Sequence, residues 1–384
     1  MSAVRDRLRE APLPGEAEAA ARSWPVVEAA LTERAPSAPR RRLPMRVVLV
    51  GALLCAGLAT ALSPAGAWIG DRFESEGAHS RPAFAPLPKG GSVLAISRGG
   101  AYAIRPDGGA RRLGSFSQVG WSPHGLHVVG VDGRSLTAVT PAATVKWTLT
   151  RPRLVGHPAW STELGYAIAY LQGRVLRVVA GNGDPATDRT VRRDAAAVTP
   201  AWRPHSDRVL TYATRGGAIE TVDVVTGRRL WRARGPSTST RSLAWSRVGG
   251  LLVALASRSV AVLDARGRVL RTLALPGTGR GLALHPSGRR AAVVVTRGRD
   301  TSVLGLRLGG AAHGPSAARS QLFQGNVDSL AWSEDGRWLL LGWRGAGQWL
   351  LLGPHGRIRA LHGVSSELGA AGGFPRVAGW CCGG

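Results

Sequence analysis

The chain has 384 residues, of which 50 are Lys or Arg and 24 are Asp or Glu, so its formal net charge at pH 7 is +26. This length allows one large domain with a buried core plus appendages, and the charge favours acidic partners such as envelope polymers or lipid headgroups. No basic run is interleaved with aromatic residues outside the predicted membrane segment, so nucleic acid is not a predicted partner.

The first 70 residues predict a tail and a membrane anchor. Residues 1–44 are polar, with a partly helical pattern interrupted by prolines, and residues 45–70 predict one transmembrane helix. From Val47 to Ile69 no residue is charged, and as a helix this stretch spans about 34 Å against the ~30 Å hydrocarbon core. Arg40, Arg41, Arg42 and Arg46 precede it, so the positive-inside rule places the tail in the cytoplasm and everything downstream outside the cell membrane.

Two alternatives concern this N-terminal region. A cleaved signal peptide is one, with Ala65 and Ala67 at an A-x-A site. The other concerns function: a short tail, one span and an outside sensor resemble the layout of transmembrane anti-sigma regulators. That resemblance implies a cytoplasmic partner for residues 1–44, although the zinc motif of one His and a CxxC is absent. Residues 71–91, rich in Pro, Gly and charge, predict a linker.

One short phrase recurs through residues 92–384: an apolar strand ending in an aromatic anchor, a tight turn, and two further apolar strands. The anchors are Trp121, Trp160, Trp202, Trp245, Leu284, Trp332 and Trp380. Their spacings of 39, 42, 43, 39, 48 and 48 residues match one four-stranded propeller blade per repeat. The period of two within each apolar run predicts strands, so the fold class is all-β.

The two ends of the repeat region complement each other. The segment from Ser92 to Gly114 contains second, third and fourth strands without an anchored first strand, whereas Phe374 to Trp380 is a first strand with almost nothing after it. Joining them completes a seventh blade, which leaves no open sheet edge. The sequence therefore predicts a seven-bladed β-propeller closed by its C-terminal strand.

The repeat resembles the TolB-like and WD-type propeller families. Trp121, Ser122, Pro123 and Gly125 match the family turn, and so do Trp332, Ser333, Asp335 and Gly336. Blade six departs from it, with Leu284 and His285 in place of Trp and Ser. The resemblance implies binding and scaffolding of a protein or an anionic envelope ligand, and no catalysis.

One blade offers an enzyme alternative. The stretch from Val222 to Ala233 resembles the repeat of pyrroloquinoline-quinone propeller dehydrogenases, with Thr226, Gly227 and Trp231 in matching places. Those enzymes also carry adjacent cysteines, as this chain does at Cys381 and Cys382. We expect no enzyme and no cofactor, because the other blades lack the Gly and Trp pair. The cysteines form a vicinal disulfide or stay as two thiols.

Motifs for other chemistry are sparse. The nine histidines have no ligand spacing, so no metal site is predicted. The glycine-rich run from Pro276 to Gly281 lacks a following helix that would receive a phosphate and predicts a loop between blades.

A candidate ligand site follows from propeller geometry. Innermost strands begin at one mouth of the central channel, so residues four before each anchor should surround that mouth. They are Ser117, Gly156, Val198, Arg241, Arg280, Asp328 and Arg376, with His157 adjacent. Three arginines in a narrow opening concentrate positive potential, which predicts an anion-binding ring.

Overall fold

The computed structural model describes residues 85–88, 91–237, 239–308, 320–369 and 372–382. The predicted tail, the predicted membrane span, Cys55 and most of the predicted linker lie outside these ranges. Within the part of the chain that is described, none of the helices has the length and apolar character needed to span a bilayer.

The described chain forms seven four-stranded antiparallel sheets, which are the blades of a propeller. Blade 1 contains β1 (Ser92–Ser97), β2 (Gly100–Ile104) and β3 (Ala110–Gly114), with β28 (Arg376–Cys381) as its innermost strand. Blade 2 contains β4 (Gln118–Trp121), β5 (Val128–Asp132), β6 (Ser135–Val139) and β7 (Val145–Thr150). Blade 3 contains β8 (Val155–Trp160), β9 (Ala167–Gln172), β10 (Val175–Ala180) and β11 (Arg189–Arg192).

The remaining four blades follow the same order from the channel outwards. Blade 4 contains β12 (Ala201–Trp202), β13 (Val209–Ala213), β14 (Ala218–Asp223) and β15 (Arg229–Arg234). Blade 5 contains β16 (Thr240–Trp245), β17 (Leu251–Ala256), β18 (Ser259–Asp264) and β19 (Val269–Ala274). Blade 6 contains β20 (Thr278–Leu284), β21 (Arg290–Arg297), β22 (Asp300–Arg307) and β23 (Ser320–Gln324). Blade 7 contains β24 (Val327–Trp332), β25 (Leu339–Trp343), β26 (Gln348–Leu352) and β27 (Ile358–Leu361).

Ring closure is confirmed. Strand β28 pairs antiparallel with β1, and Trp380 lies directly opposite Val93 in the register. The same strand contacts β24 of blade 7 on one side and β4 of blade 2 on the other. The last described strand therefore completes the first blade, as the complementary ends of the repeat region predicted, and the fold is an all-β seven-bladed propeller.

The core lies between neighbouring blades. Between blades 7 and 1, for example, Trp349 and Leu361 pack with Val93, Ile104 and Trp380 in one buried cluster. The anchors close similar clusters along the channel, since Trp202 packs with blade 3 residues and Trp245 with blade 4 residues. Burial of these large side chains against the next blade is what holds flat sheets in a ring.

Two short segments that are not part of the repeat pattern pack beside blade 1. Leu87, which belongs to the segment predicted as linker, is buried in the cluster between blades 7 and 1, and its N–H donates to the carbonyl of Pro106 at 2.9 Å. A short helix, α1 (Val364–Leu368), lies between β27 and β28 and buries Val364 and Leu368 in the same cluster.

The prediction of a loop over the glycine-rich run is wrong from Thr278 onwards. Residues from Thr278 onwards form the innermost strand β20, and they pair with β21. A Cβ at Gly279 would lie 2.7 Å from Leu255 Cδ1 in blade 5, and one at Gly281 would lie 2.6 Å from Leu330 Cδ2 in blade 7. These glycines permit close approach of the two neighbouring blades, which local sequence patterns do not reveal.

Candidate functional site

The central channel has two mouths with different chemistry. Each innermost strand has its anchor at or next to its last residue, and the strands of neighbouring blades contact one another around the ring. One cavity lies where strands of blades 5, 6, 7 and 1 begin, and another lies where the anchors end their strands. We call the first the arginine mouth, after Arg241, Arg280, Arg344 and Arg376, and the second the tryptophan mouth, after its five lining anchors Trp121, Trp160, Trp245, Trp332 and Trp380.

The arginine mouth has a volume of about 480 Å³. The structure brings four predicted site residues into its lining: Arg241, Arg280, Arg376 and Asp328. Arg344, which follows strand β25, also lines it, together with Asn326 and Thr296. Four guanidinium groups against one carboxylate make this cavity strongly cationic.

β-Bulges position three of these side chains. The pairing between β16 and β17 shifts register between Thr240 and Ser242, which leaves Arg241 as the extra residue. An equivalent register shift leaves Arg280 as the extra residue in blade 6, and another leaves Asp328 as the extra residue in blade 7. A bulged residue is released from the alternation of a regular strand, so its side chain can be directed into the opening.

The charges in the arginine mouth are only partly compensated. Arg344 Nε lies 3.0 Å from Asp328 Oδ2, and Arg241 Nε donates to Ser257 Oγ at 3.0 Å. Burial raises the pKa of Asp328 above its usual value, although the positive charges of Arg344 and Arg376 oppose the shift. Among the described residues, Arg280 and Arg376 have no hydrogen-bond or ion-pair partner within contact distance. They are exposed, and their N–H groups are available to an anion.

The predicted ring is therefore one-sided. Ser117, Gly156 and Val198 do not line the arginine cavity, and neither does His157. The ring of His157 lies 3.3 Å from Thr199 Oγ1 at the contact of blades 3 and 4, and burial lowers the pKa of His157. The cationic cluster occupies blades 5, 6, 7 and 1, because these blades carry the arginines and three of them have the bulges described above.

The tryptophan mouth is an aromatic cavity of about 510 Å³. Its wall includes Trp121, Trp160, Trp245, Trp332 and Trp380, with Leu284 in blade 6 where an indole would otherwise stand. Trp202, the anchor of blade 4, is buried and is the one anchor that does not line this cavity. The smaller Leu284 side chain leaves room on this side of the opening.

Two indole groups in this wall lack the hydrogen bond that other anchors make to the preceding blade. Trp202 Nε1 donates to Ala159 O at 2.9 Å and Trp332 Nε1 to Ala283 O at 3.3 Å, both in the backbone of the preceding blade, and Trp245 Nε1 donates to the Thr211 hydroxyl of the preceding blade at 3.0 Å. Trp121 Nε1 and Trp160 Nε1 are buried without a hydrogen-bond partner among the described residues. Each such unpaired donor costs on the order of 1–3 kcal/mol.

Two ion pairs lie at the edge of the tryptophan mouth. His205 Nδ1 is 3.2 Å from Glu163 Oε2 between blades 4 and 3. Arg247 Nη2 of blade 5 is 3.4 Å from Glu334 Oε1 of blade 7, so this pair passes over blade 6. All four side chains are substantially exposed, and such pairs contribute little to stability.

The adjacent cysteines belong to the same mouth. Cys381 and Cys382 are joined as a disulfide, and both line the tryptophan cavity. Their sulfur atoms lie 3.8 Å from Ser122 O and 3.4 Å from Pro123 O, so the end of the closing strand rests against the first turn of blade 2. The sequence indicated a possible disulfide between these cysteines, but it did not predict that they would line a cavity.

The residues behind the quinoprotein resemblance have a packing role. Trp231 Nε1 donates to Ala265 O at 3.1 Å in blade 5, and its ring lies against Gly267. Trp147 makes the equivalent contacts from blade 2 to Gly181 and Gly183 of blade 3. Within the described part of the chain, no group of three or more His, Cys, Asp or Glu residues is arranged to hold a metal ion.

No protein-family model matches the chain, and no curated protein sequence matches it. Solved structures do. Hydrazine synthase of Kuenenia stuttgartiensis is 17% identical over 63% of this chain and 78% of its own, with a TM-score of 0.51. The Cps50 (Swd1) β-propeller domain of Myceliophteria thermophila is 14% identical over 65% of this chain and 87% of its own, with a TM-score of 0.52.

The chain has a β-propeller fold. At 14–17% identity these matches show the fold alone, and one of the two neighbours is named as an enzyme. The narrower TolB-like assignment and the absence of catalysis stay predictions.

Proposed function

We propose that this chain is a membrane-anchored extracytoplasmic propeller that binds an anionic ligand of the cell envelope through its arginine mouth. The observation that carries the proposal is the cluster of four guanidinium groups against one carboxylate, with Arg280 and Arg376 unpaired among the described residues. Guanidinium groups form charge-assisted, often bidentate bonds with phosphate and carboxylate oxygens. A converging set of them in a concave opening therefore favours a ligand with several negative charges.

The test is a salt-titrated binding assay on the purified full chain, with polyphosphate and polyglutamate as probes. The triple variant Arg241→Ser, Arg280→Ser and Arg376→Ser should bind at least about tenfold more weakly, because each lost charged hydrogen bond contributes about 1.5–3 kcal/mol. Asp328→Asn should bind more tightly, because it releases Arg344. Stronger binding of one polymer than the other distinguishes a phosphate-rich envelope polymer from an acidic protein segment.

A matched control removes the same charge elsewhere. Arg111, Arg228 and Arg307 are exposed and lie outside both mouths. Their triple Ser variant should keep most of the affinity if the mouth is the site. Equal losses in both triple variants would mean that the net charge of +26 alone attracts polyanions, and the proposal would fail.

The tail provides the alternative function of a transmembrane regulator. Residues 1–44 would pass ligand occupancy to a cytoplasmic protein, in the layout that resembles anti-sigma regulators. Crosslinking in cells, with the full chain compared to a variant lacking residues 1–44, tests it. A cytoplasmic protein recovered only with the full chain supports regulation, and its absence favours a scaffold.

A further inference from the structure

We propose that the tryptophan mouth is a second ligand site and that it binds a neutral saccharide ring. This proposal is independent of the anion site, since the two cavities share no lining residue. The cavity of about 510 Å³ lies within the range of about 300–1,000 Å³ that is common for small-ligand sites. Its composition of aromatic wall and a few polar groups is also that of a ligand site.

The wall supplies apolar surface for one face of a sugar. Trp121 and Trp332 are the anchors with partly exposed side chains in the cavity, and Leu284 widens the opening beside Trp332. A pyranose ring presents C–H groups on its faces and hydroxyl groups around its edge. Indole rings are large, rigid and amphipathic, so they pack against such C–H faces with little loss of conformational entropy.

The indole N–H groups of Trp121 and Trp160 are enclosed within the wall. The side chain of Trp160 is 9% exposed, its Nε1 has no partner among the described residues, and Trp121 Nε1 is in the same state. Both residues form part of the cavity wall. Both Nε1 atoms are enclosed, so the cavity offers a ligand the surface of the indole rings, and the polar contacts come from the residues at its edge.

The ion pairs at the edge match hydroxyl groups. Glu163 beside His205 and Arg247 beside Glu334 each place an acceptor next to a donor. Neighbouring hydroxyl groups both donate and accept, so a diol can bond both members of such a pair. Because these pairs are exposed and weak, exchanging part of each contact for a ligand hydroxyl costs little.

The charge balance favours a neutral ligand. Two carboxylates face one arginine and two histidines in this mouth, so with neutral histidines its formal charge is only −1, whereas the arginine mouth is strongly cationic. A polyanion is therefore expected at the arginine mouth and is not favoured here. A planar heteroaromatic ring is the competing ligand, because it would also pack against indoles.

Intrinsic tryptophan fluorescence of the detergent-solubilised full chain tests the proposal directly. Methyl glycosides of hexoses and of N-acetylhexosamines are the probes, sorbitol is the open-chain control, and indole-3-carbinol is the planar aromatic control. We expect a saturable emission change with at least one glycoside, with Kd on the order of 1 mM or below, and none with sorbitol. Failure of every glycoside, or saturation by indole-3-carbinol alone, would overturn the assignment.

Variants locate the site. The pair Glu163→Gln and Glu334→Gln keeps side-chain size and should weaken glycoside binding at least about fivefold. Trp121→Leu keeps apolar volume but removes the aromatic face, and it should weaken binding by a similar factor. Glu367→Gln, at an exposed position on α1, is the matched control and should leave binding unchanged.

The two sites can be separated in the same experiment. The arginine-mouth triple variant should bind glycosides normally even if it loses polyanions. Glycoside binding that is lost in that variant, or that is unaffected by the Glu163 and Glu334 changes, would place the sugar elsewhere and contradict the proposal.

Discussion

His285 shows how a single departure from the repeat acquires its own role. It occupies the position after the blade 6 anchor, where most blades have Ser. Its Nδ1 accepts from the N–H of Ser287 at 3.0 Å, which places the proton on Nε2 facing Gly336 O at 2.9 Å, and the Arg290 guanidinium lies 3.0 Å from the same Nε2. Its ring also packs edge-on against Trp332, with ring centroids 4.8 Å apart. One side chain thus links blades 6 and 7.

This arrangement predicts a pH dependence. Burial and then the charge of Arg290 lower the pKa of His285 below 6.5, whereas Asp335 and the bond to Gly336 oppose this. The unfolded chain therefore binds a proton more readily than the folded chain, so stability that is present above pH 6.5 is lost as the pH falls from 6.5 through the lower pKa of the folded state. The loss is about 1.4 kcal/mol for each unit of difference.

Urea unfolding followed by tryptophan emission measures this effect. His285→Asn should lower the free energy of unfolding by about 1 kcal/mol at pH 7.5, through the lost bond to Gly336. The difference from the wild type should shrink at pH 5.5. Burial lowers the pKa of His157 as well, so His157 contributes the same pH trend to both proteins. A gap that does not change with pH would contradict the assignment, and His124→Asn in an exposed turn is the control.

At the scale of elements, the innermost strands determine where chemistry can occur. Their bulges direct Arg241, Arg280 and Asp328 into one mouth, and their ends place the anchors at the other. Strand β28 does both, with Arg376 at its start and Trp380 near its end. The closing strand therefore contributes to both candidate sites as well as to ring closure.

Removing the closing strand should destabilise the ring. Trp380 is 9% exposed within the cluster between blades 7 and 1, so Trp380→Ala should lower the free energy of unfolding by about 3–5 kcal/mol. Trp380→Phe should cost clearly less.

Deletion of residues 376–382 should leave β1 as an open edge that favours association. Size-exclusion chromatography and hydrogen exchange at residues 92–97 measure this, and an unchanged elution volume with a protected β1 would argue against closure by β28.

At the scale of the whole molecule, the ring gives one chain two openings of opposite character. The arginine mouth suits anions, and the tryptophan mouth has nearly balanced charge and an aromatic wall. The similarity to solved structures at 14% and 17% identity concerns the fold alone, and a fold does not determine a function, so any specificity of this chain has to come from the residues at its mouths.

The predicted orientation in the membrane belongs to this scale. A reporter enzyme that is active only outside the cytoplasm should be active when fused after residue 91 and inactive when fused after residue 44. Replacing Arg40, Arg41, Arg42 and Arg46 with Ser should weaken this preference, because the flanking positive charges set it. An N-terminal tag that disappears from the mature protein would support the signal-peptide alternative instead.

The sequence by itself determined the repeat, the number of blades and the closure, because each depends on local periodicity and on the inventory of strands at the two ends. It also predicted Arg241, Arg280, Arg376 and Asp328 at one mouth, since position relative to the anchor is periodic. It missed Arg344, which reaches the mouth from the turn after β25, and it assigned His157 to a ring that the structure shows to be one-sided.

Only the tertiary structure decided the rest. Bulges, the unpaired indoles of Trp121 and Trp160, and the ion pair from Arg247 to Glu334 across blade 6 depend on how separate blades meet. Arg247 and Glu334 both lie two residues after their anchors, so the repeat predicts that they share a mouth, but only the packing of the ring decides that these two side chains meet across blade 6.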